Sequence, residues 1–222
     1  MKGVGAEDER TAGFVLAGGE SRRMGCDKAL VEFSGEPLIV RALKLLREAG
    51  LEARIAGARA NLEQFAQVIA DPAPNQGPLG GVCAALAACR EHRAVFVPVD
   101  LPLLPASLIA LMVHRAAITE ALVTVLSVNG FAQTFPAVVD RAVLPGLEDA
   151  LKQGPGGCFA AYKSAAARLG QPVAAVPVEY LAQAGQVTHP EGLPPAMWFL
   201  NANSPVDLAR AQAVTRRVNR VS

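Results

Sequence analysis

The chain has 222 residues, of which 51% are hydrophobic and 18% charged, and a formal net charge of +1. That length and apolar share suit one α/β unit with a sizeable core and exclude a disordered chain. Near-neutral charge excludes a global field that recruits nucleic acid or an anionic membrane surface, and no apolar run approaches the ~20 residues of a membrane span.

The first twelve residues are mostly polar, lack the apolar stretch of a secretory signal, and read as a loose tail ahead of a single domain over 13–222. Residues 14–16, Phe-Val-Leu, read as a buried strand. Residues 38–46 carry apolar groups at helical spacing, with Pro37 in the first turn and Gly50 as a stop. Strands are expected over 53–56 and 68–70, a short helix over 62–66 and an Ala-rich helix over 79–89. Residues 94–99 form a strongly β run that ends at Asp100. A helix over 105–117 and a strand over 121–128 follow.

This alternation predicts an α/β fold, a Rossmann-like three-layer α/β/α sandwich on a mostly parallel sheet. Beyond residue 128 a strand is expected over 134–139, with Pro136 assigning it to a sheet edge. Helices are expected over 142–151 and 159–168, and a strand over 173–178. A surface loop over 185–195, a late core strand over 198–200 and a terminal helix over 205–218 complete the reading.

Four cysteines, Cys26, Cys83, Cys89 and Cys158, form no C-x-x-C pair, which reads as reduced thiols in the cytoplasm. Three dispersed histidines do not suggest a zinc site.

The most informative segment is 16–28: Leu16-Ala17-Gly18-Gly19-Glu20-Ser21-Arg22-Arg23-Met24-Gly25-Cys26-Asp27-Lys28. It follows a strand, and its glycines remove side chains where a ligand must touch backbone. Arg23 and Lys28 add positive charge, so the loop suits a triphosphate. It is neither a Walker A sequence, because Ala29 follows Lys28, nor a G-x-G-x-x-G dinucleotide loop. Asp100, at the end of another strand, has the residue type that would hold the Mg2+ accompanying a nucleotide triphosphate.

The segment L-A-G-G-x-S-x-R-M-G-x-D-K resembles the signature of MobA-like nucleotidyltransferases, specifically molybdenum cofactor guanylyltransferases. The resemblance continues through Asp71, the Gly77-Pro78-Leu79-Gly80-Gly81 loop and residues 97–102. It closes with Phe199-Leu200-Asn201-Ala202-Asn203-Ser204-Pro205-Val206-Asp207-Leu208, similar to the family's N-x-N-T-P-x-D-L with Ser204 in place of Thr.

The resemblance implies the nucleotidyltransferase fold and transfer of GMP from GTP to the terminal phosphate of molybdopterin, with release of pyrophosphate. It implies nucleotide contacts by Leu16, Ala17 and Gly18, phosphate contacts by Arg23 and Lys28, a base or ribose contact by Asp71, and Mg2+ on Asp100. Asn201 and Asn203 would shape the acceptor side. A family Asn expected after the second strand has no counterpart before Asn61, where the chain reads Ile55-Ala56-Gly57-Ala58-Arg59. Partners would be the two substrates and, transiently, molybdoenzymes or their chaperones, with no nucleic acid and no membrane. The alternatives are a cytidylyltransferase for molybdopterin, a sugar-phosphate nucleotidyltransferase, and a non-catalytic carrier of nucleotide or molybdopterin.

Overall fold

The computed structural model of the chain describes residues 11–18, 27–57, 60–71, 77–154 and 156–218. The expected tail lies outside these residues except for Thr11 and Ala12, which open the first strand. In chain order come β1 (Thr11–Leu16), a 3-10 turn (Lys28–Leu30), β2 (Glu32–Phe33), β3 (Glu36–Pro37), α1 (Leu38–Glu48), β4 (Ala53–Ala56) and β5 (Val68–Ile69). They are followed by α2 (Gly77–Ala88), β6 (Arg93–Pro98), α3 (Ala106–Thr119), β7 (Val123–Val128) and β8 (Phe131–Asp140). The remainder is α4 (Leu144–Lys152), α5 (Cys158–Arg168), β9 (Ala174–Pro177), α6 (Val178–Gln183), α7 (Pro195–Trp198) and α8 (Pro205–Val218).

Seven strands form one sheet in the order β5-β4-β1-β6-β8-β7-β9. The β5-β4, β4-β1, β1-β6 and β7-β9 pairs are parallel, and only β8 runs against its neighbours. The sheet is therefore mostly parallel, as expected. Strand periodicity explains why it is covered on both faces. Phe14, Leu16 and Phe96 pack into one layer with α2, α4 and α5, while Val15, Val95 and Val97 pack into the other with α1 and α3. In α1, Leu38, Ile39, Ala42, Leu43, Leu45 and Leu46 form the buried stripe. Each large apolar side chain so buried contributes about 1.5–3 kcal/mol, so packing rather than helix propensity holds α1 in place. Among the described residues no helix is long and apolar enough to cross a membrane.

Four local expectations are corrected. Pro136 does not mark an edge, because β8 lies between β6 and β7. The register between β7 and β8 jumps from Val125↔Ala137 to Leu126↔Gln133, and pairing with β6 stops at Ala137. Pro136 thus occupies a bulge where its missing N–H breaks no ladder bond. Residues 198–200 are not a strand: Trp198 ends the short helix α7, and its indole N–H donates to Leu193 O at 2.7 Å. The sheet edge beside β9 is thus not extended by this segment, whose apolar groups fill the core from a loop. Residues 62–66 hold a turn after a 3-10 segment, Ala60–Leu62, rather than a helix. The Gly77–Gly81 loop is the first turn and more of α2.

The connections run from β1 outward to β4 and β5, then return through α2 to β6 on the other side of β1. Strand order therefore reverses between β1 and β6. In open α/β sheets the crevice for ligands lies at that reversal, beyond the carboxyl ends of the strands.

Candidate active site at the sheet switch point

The carboxyl ends of the three central parallel strands are tied together by backbone bonds. Ala17 N–H donates to Ala56 O at 3.2 Å, and Val99 N–H donates to Leu16 O at 3.3 Å. Gly57 N–H donates to Ile69 O at 3.1 Å, which adds β5 to the same rim. At this rim the backbones of Gly18 and Gly57 come so close that a Cβ on Gly57 would lie 2.9 Å from Gly18 N. Gly57 also has φ +145°, a conformation that side-chain-bearing residues rarely adopt. Among the described residues the ends of β1 and β4 meet backbone to backbone, and Gly18 is exposed.

Lys28 and Asp100 meet across the switch point. Asp27 caps the turn that carries Lys28, its Oδ1 accepting the Ala29 N–H at 3.0 Å. From that turn Lys28 Nζ donates to Asp100 Oδ2 at 2.7 Å. Both side chains are shielded, with 18% and 19% of their surface exposed. Lys28 Nζ also donates to Asn203 Oδ1. The loop bearing Asn203 is itself fixed to β6, because Ala202 N–H donates to Asp100 O at 2.9 Å. Residues 28, 100 and 203, expected to serve one site, are thus in direct contact.

The other expected residues are placed as follows. Leu16 and Ala17 are buried at the end of β1. Asp71 lies half-buried two residues past β5, on the same rim but toward α2, where its charge reaches Cys83. Asn201 is exposed and lines a cleft with Phe199, Leu200, Asn203, Asp207 and Arg210. Arg23 and the rest of 19–26 lie outside the described residues.

Three residues of the site carried no motif signal. Asn61 Nδ2 donates to Asp27 Oδ2 at 3.2 Å, so the first Asn after β4 braces the Lys28 turn. Arg41, stacked over the Phe33 ring at 5.0 Å, donates from Nε to Pro102 O at 2.6 Å and holds the loop after Asp100. Gly57 was readable as a glycine at a strand end, a common sign of close backbone approach. His189, by contrast, serves the scaffold. Burial lowers its pKa, its Nε2 lies 3.1 Å from Leu103 O, and its Nδ1 accepts the Glu191 N–H at 3.0 Å.

Among the described residues no group of three or more His, Cys, Asp or Glu stands ready to hold a metal. The Lys28 cluster offers one carboxylate, Asp100, whose Oδ1 makes no contact with the described residues. Cys83, Cys89 and Cys158 are free and buried, and burial pushes their thiols up to about 12, 12 and 11. None is poised as a nucleophile.

A sheet of this order, with a lysine–carboxylate pair straddling its switch point, has the ligand crevice of the open, mostly parallel α/β class. Residues 13–193 match the model of the MobA-like NTP transferase domain, and the chain belongs to that family. A molybdenum cofactor guanylyltransferase of Xanthomonas euvesicatoria pv. vesicatoria is 44% identical over 113 residues, covering 49% of this chain and 58% of that protein. The chain thus spans somewhat more than half the length of that relative. One of Vibrio atlanticus, bearing the same name, is 34% identical over 160 residues, covering 69% of this chain and 81% of the relative. The fold is shared with the crystal structure of molybdopterin-guanine dinucleotide biosynthesis protein A from Archaeoglobus fulgidus. That match has a TM-score of 0.74 at 20% identity and covers 93% of this chain and 100% of that one.

Proposed function

We propose that the chain transfers GMP from GTP to the terminal phosphate of molybdopterin, releasing pyrophosphate and forming a molybdopterin guanine dinucleotide. The observation that carries this reading is the 2.7 Å contact of Lys28 with Asp100 at the switch point. It supports a reading in which Lys28 serves as the phosphate-binding cation and Asp100 as the metal-binding carboxylate of one nucleotide site. The names of the relatives supply the base and the acceptor.

An oxygen of the acceptor phosphate forms a bond to the α-phosphorus of GTP, and the bond from that phosphorus to the bridging oxygen breaks, so pyrophosphate leaves. The acceptor oxygen is already anionic near neutral pH, so no general base is needed. Catalysis then rests on alignment and charge neutralisation. Backbone groups of Leu16, Ala17 and Gly18 hold the nucleotide at the bare rim, and Asp71 reaches its base or ribose side. Lys28 and Arg23 neutralise charge on the leaving pyrophosphate.

Asp100 suits Mg2+, which keeps most of its waters and takes only one or two carboxylates alongside substrate phosphates. Bound there, Mg2+ would supply Lewis-acid polarisation of the phosphoryl oxygens. Asn203 keeps Lys28 on the Asp100 side, and Asn201 and Asn203 border the acceptor. The setting is cytoplasmic, with molybdoenzymes or their chaperones as transient partners for the product and no role for nucleic acid or membrane.

The test is pyrophosphate release by the purified chain with molybdopterin and Mg2+, comparing GTP with CTP. Release with GTP that needs molybdopterin supports the assignment. Preference for CTP, turnover with a sugar phosphate alone, or nucleotide binding without release overturns it.

A further inference from the structure

The reaction brings two anionic groups together, and the cations assigned above all serve the nucleotide. The attacking phosphate needs counter-charge of its own, or repulsion from the triphosphate would keep it out of line. The cleft beside Asn203 holds a candidate. It is lined by Phe199, Leu200, Asn201, Asn203, Asp207 and Arg210, and Asn203 also contacts Lys28. The cleft therefore shares Asn203 with the Lys28–Asp100 cluster.

Arg210 is the only cationic side chain lining that cleft among the described residues, and it makes no ion pair or hydrogen bond with any of them. Asp207 lies three residues earlier on α8, at the spacing where helical ion pairs form, yet the two do not pair. Instead the Asp207 carboxylate accepts the Ser204 hydroxyl at 2.7 Å, and Asp207 N–H donates back to Ser204 Oγ at 3.2 Å. The Ser204–Asp207 lock engages one carboxylate oxygen, and the Arg210 guanidinium pairs with neither. Its planar fork of donors matches a phosphomonoester.

We propose that Arg210 binds the terminal phosphate of the acceptor, with Asn201 and Asn203 beside it, and so fixes the attacking oxygen against the nucleotide. The inference rests on the guanylyl-transfer reading and deepens it by giving the acceptor its own cation.

The test compares wild type, Arg210→Ala and Arg210→Lys in two measurements. The first is fluorescence-monitored binding of a pterin phosphomonoester, set beside binding of a non-hydrolysable GTP analogue. The second is turnover, with KM determined separately for molybdopterin and for GTP. Arg210 is exposed, so both variants are expected to fold. Arg210→Ala should weaken the pterin phosphate and raise KM for molybdopterin about ten- to a hundredfold. Nucleotide affinity and KM for GTP should stay within about twofold, and Arg210→Lys should recover part of the loss. Turnover in wild type with no acceptor defect in Arg210→Ala, or equal defects for both substrates, overturns the Arg210 assignment and leaves the transfer reading standing. A wild-type protein that binds the GTP analogue but no pterin phosphate overturns both.

Discussion

The backbone N–H of Ala202 donates to the carbonyl of Asp100 at 2.9 Å, so the residue that carries the site carboxylate also anchors the segment that closes the site. Asn203 follows directly and reaches Lys28 from the other side. Three chain segments therefore share one small cluster, and its geometry depends on each. Replacing Asn203 by Ala should lower kcat about tenfold, because Lys28 loses the group that steadies it. Asn203 is exposed, so the melting temperature should hold. A variant with wild-type kcat would show that the contact is not used in turnover.

Lys28→Ala and Asp100→Ala should each reduce kcat/KM at least about a hundredfold while circular dichroism stays native. On the proposal that the two side chains act on one nucleotide, the double variant should be little worse than either single one. Strict additivity in that double-mutant cycle would separate their roles.

At Gly57 even Ala should be poorly tolerated. The backbone φ is +145° and the new Cβ would sit 2.9 Å from Gly18 N, which is backbone and can move only with β1. We expect a loss of about 2–4 kcal/mol in urea unfolding and weaker GTP binding, since the rim must open. A stable Gly57→Ala protein with normal nucleotide affinity would refute the tight approach of the two strands.

Acid stability should depend on Glu91, at the opposite end of the sheet. Its burial alone would raise its pKa, but hydrogen bonds from the Cys89 thiol and the Arg54 guanidinium overcome that and bring it to about 2. A carboxylate more acidic folded than unfolded contributes its stabilisation fully above about pH 4.5 and loses it as the pH falls toward about 2. The contribution is at most about 3 kcal/mol. Urea titrations between these pH values should show a shallower decline for Glu91→Gln than for wild type. Parallel declines would remove Glu91 from the acid transition.

Alkylation should spare the buried thiols. With pKa values pushed to about 11 to 12, Cys83, Cys89 and Cys158 should resist iodoacetamide at pH 8 in the folded protein and react after unfolding. Peptide-level mass spectrometry reads the outcome directly. Rapid native labelling at Cys83 would show that α2 opens from the sheet.

The strands and helices that depend on local periodicity were legible in the sequence. α1 carries its buried stripe at helical spacing, Ser204 caps α8 by accepting the Asp207 N–H, and β6 holds the run Ala94-Val95-Phe96-Val97 and ends two residues before the site carboxylate. What failed depended on distant partners. A proline is barred from the middle of a sheet only when its N–H is needed, and whether Pro136 meets that condition is decided by a register jump in β7. Trp198 looks like a strand residue because it is aromatic and buried, yet its indole N–H is satisfied by Leu193, only five residues away. At the site, motif glycines and charges pointed to Lys28 and Asp100, and the family resemblance to Asn203. Asn61 and Arg41 were invisible because each acts through a backbone or capping group, which leaves no pattern in the chain itself.

The 175-residue separation of Lys28 from Asn203 has a consequence for synthesis in the cell. Lys28 and Asp100 leave the exit tunnel of the ribosome long before Asn203 does. A nascent chain at that stage lacks the contact that steadies its lysine. The Lys28 cluster is therefore completed only at the end of translation.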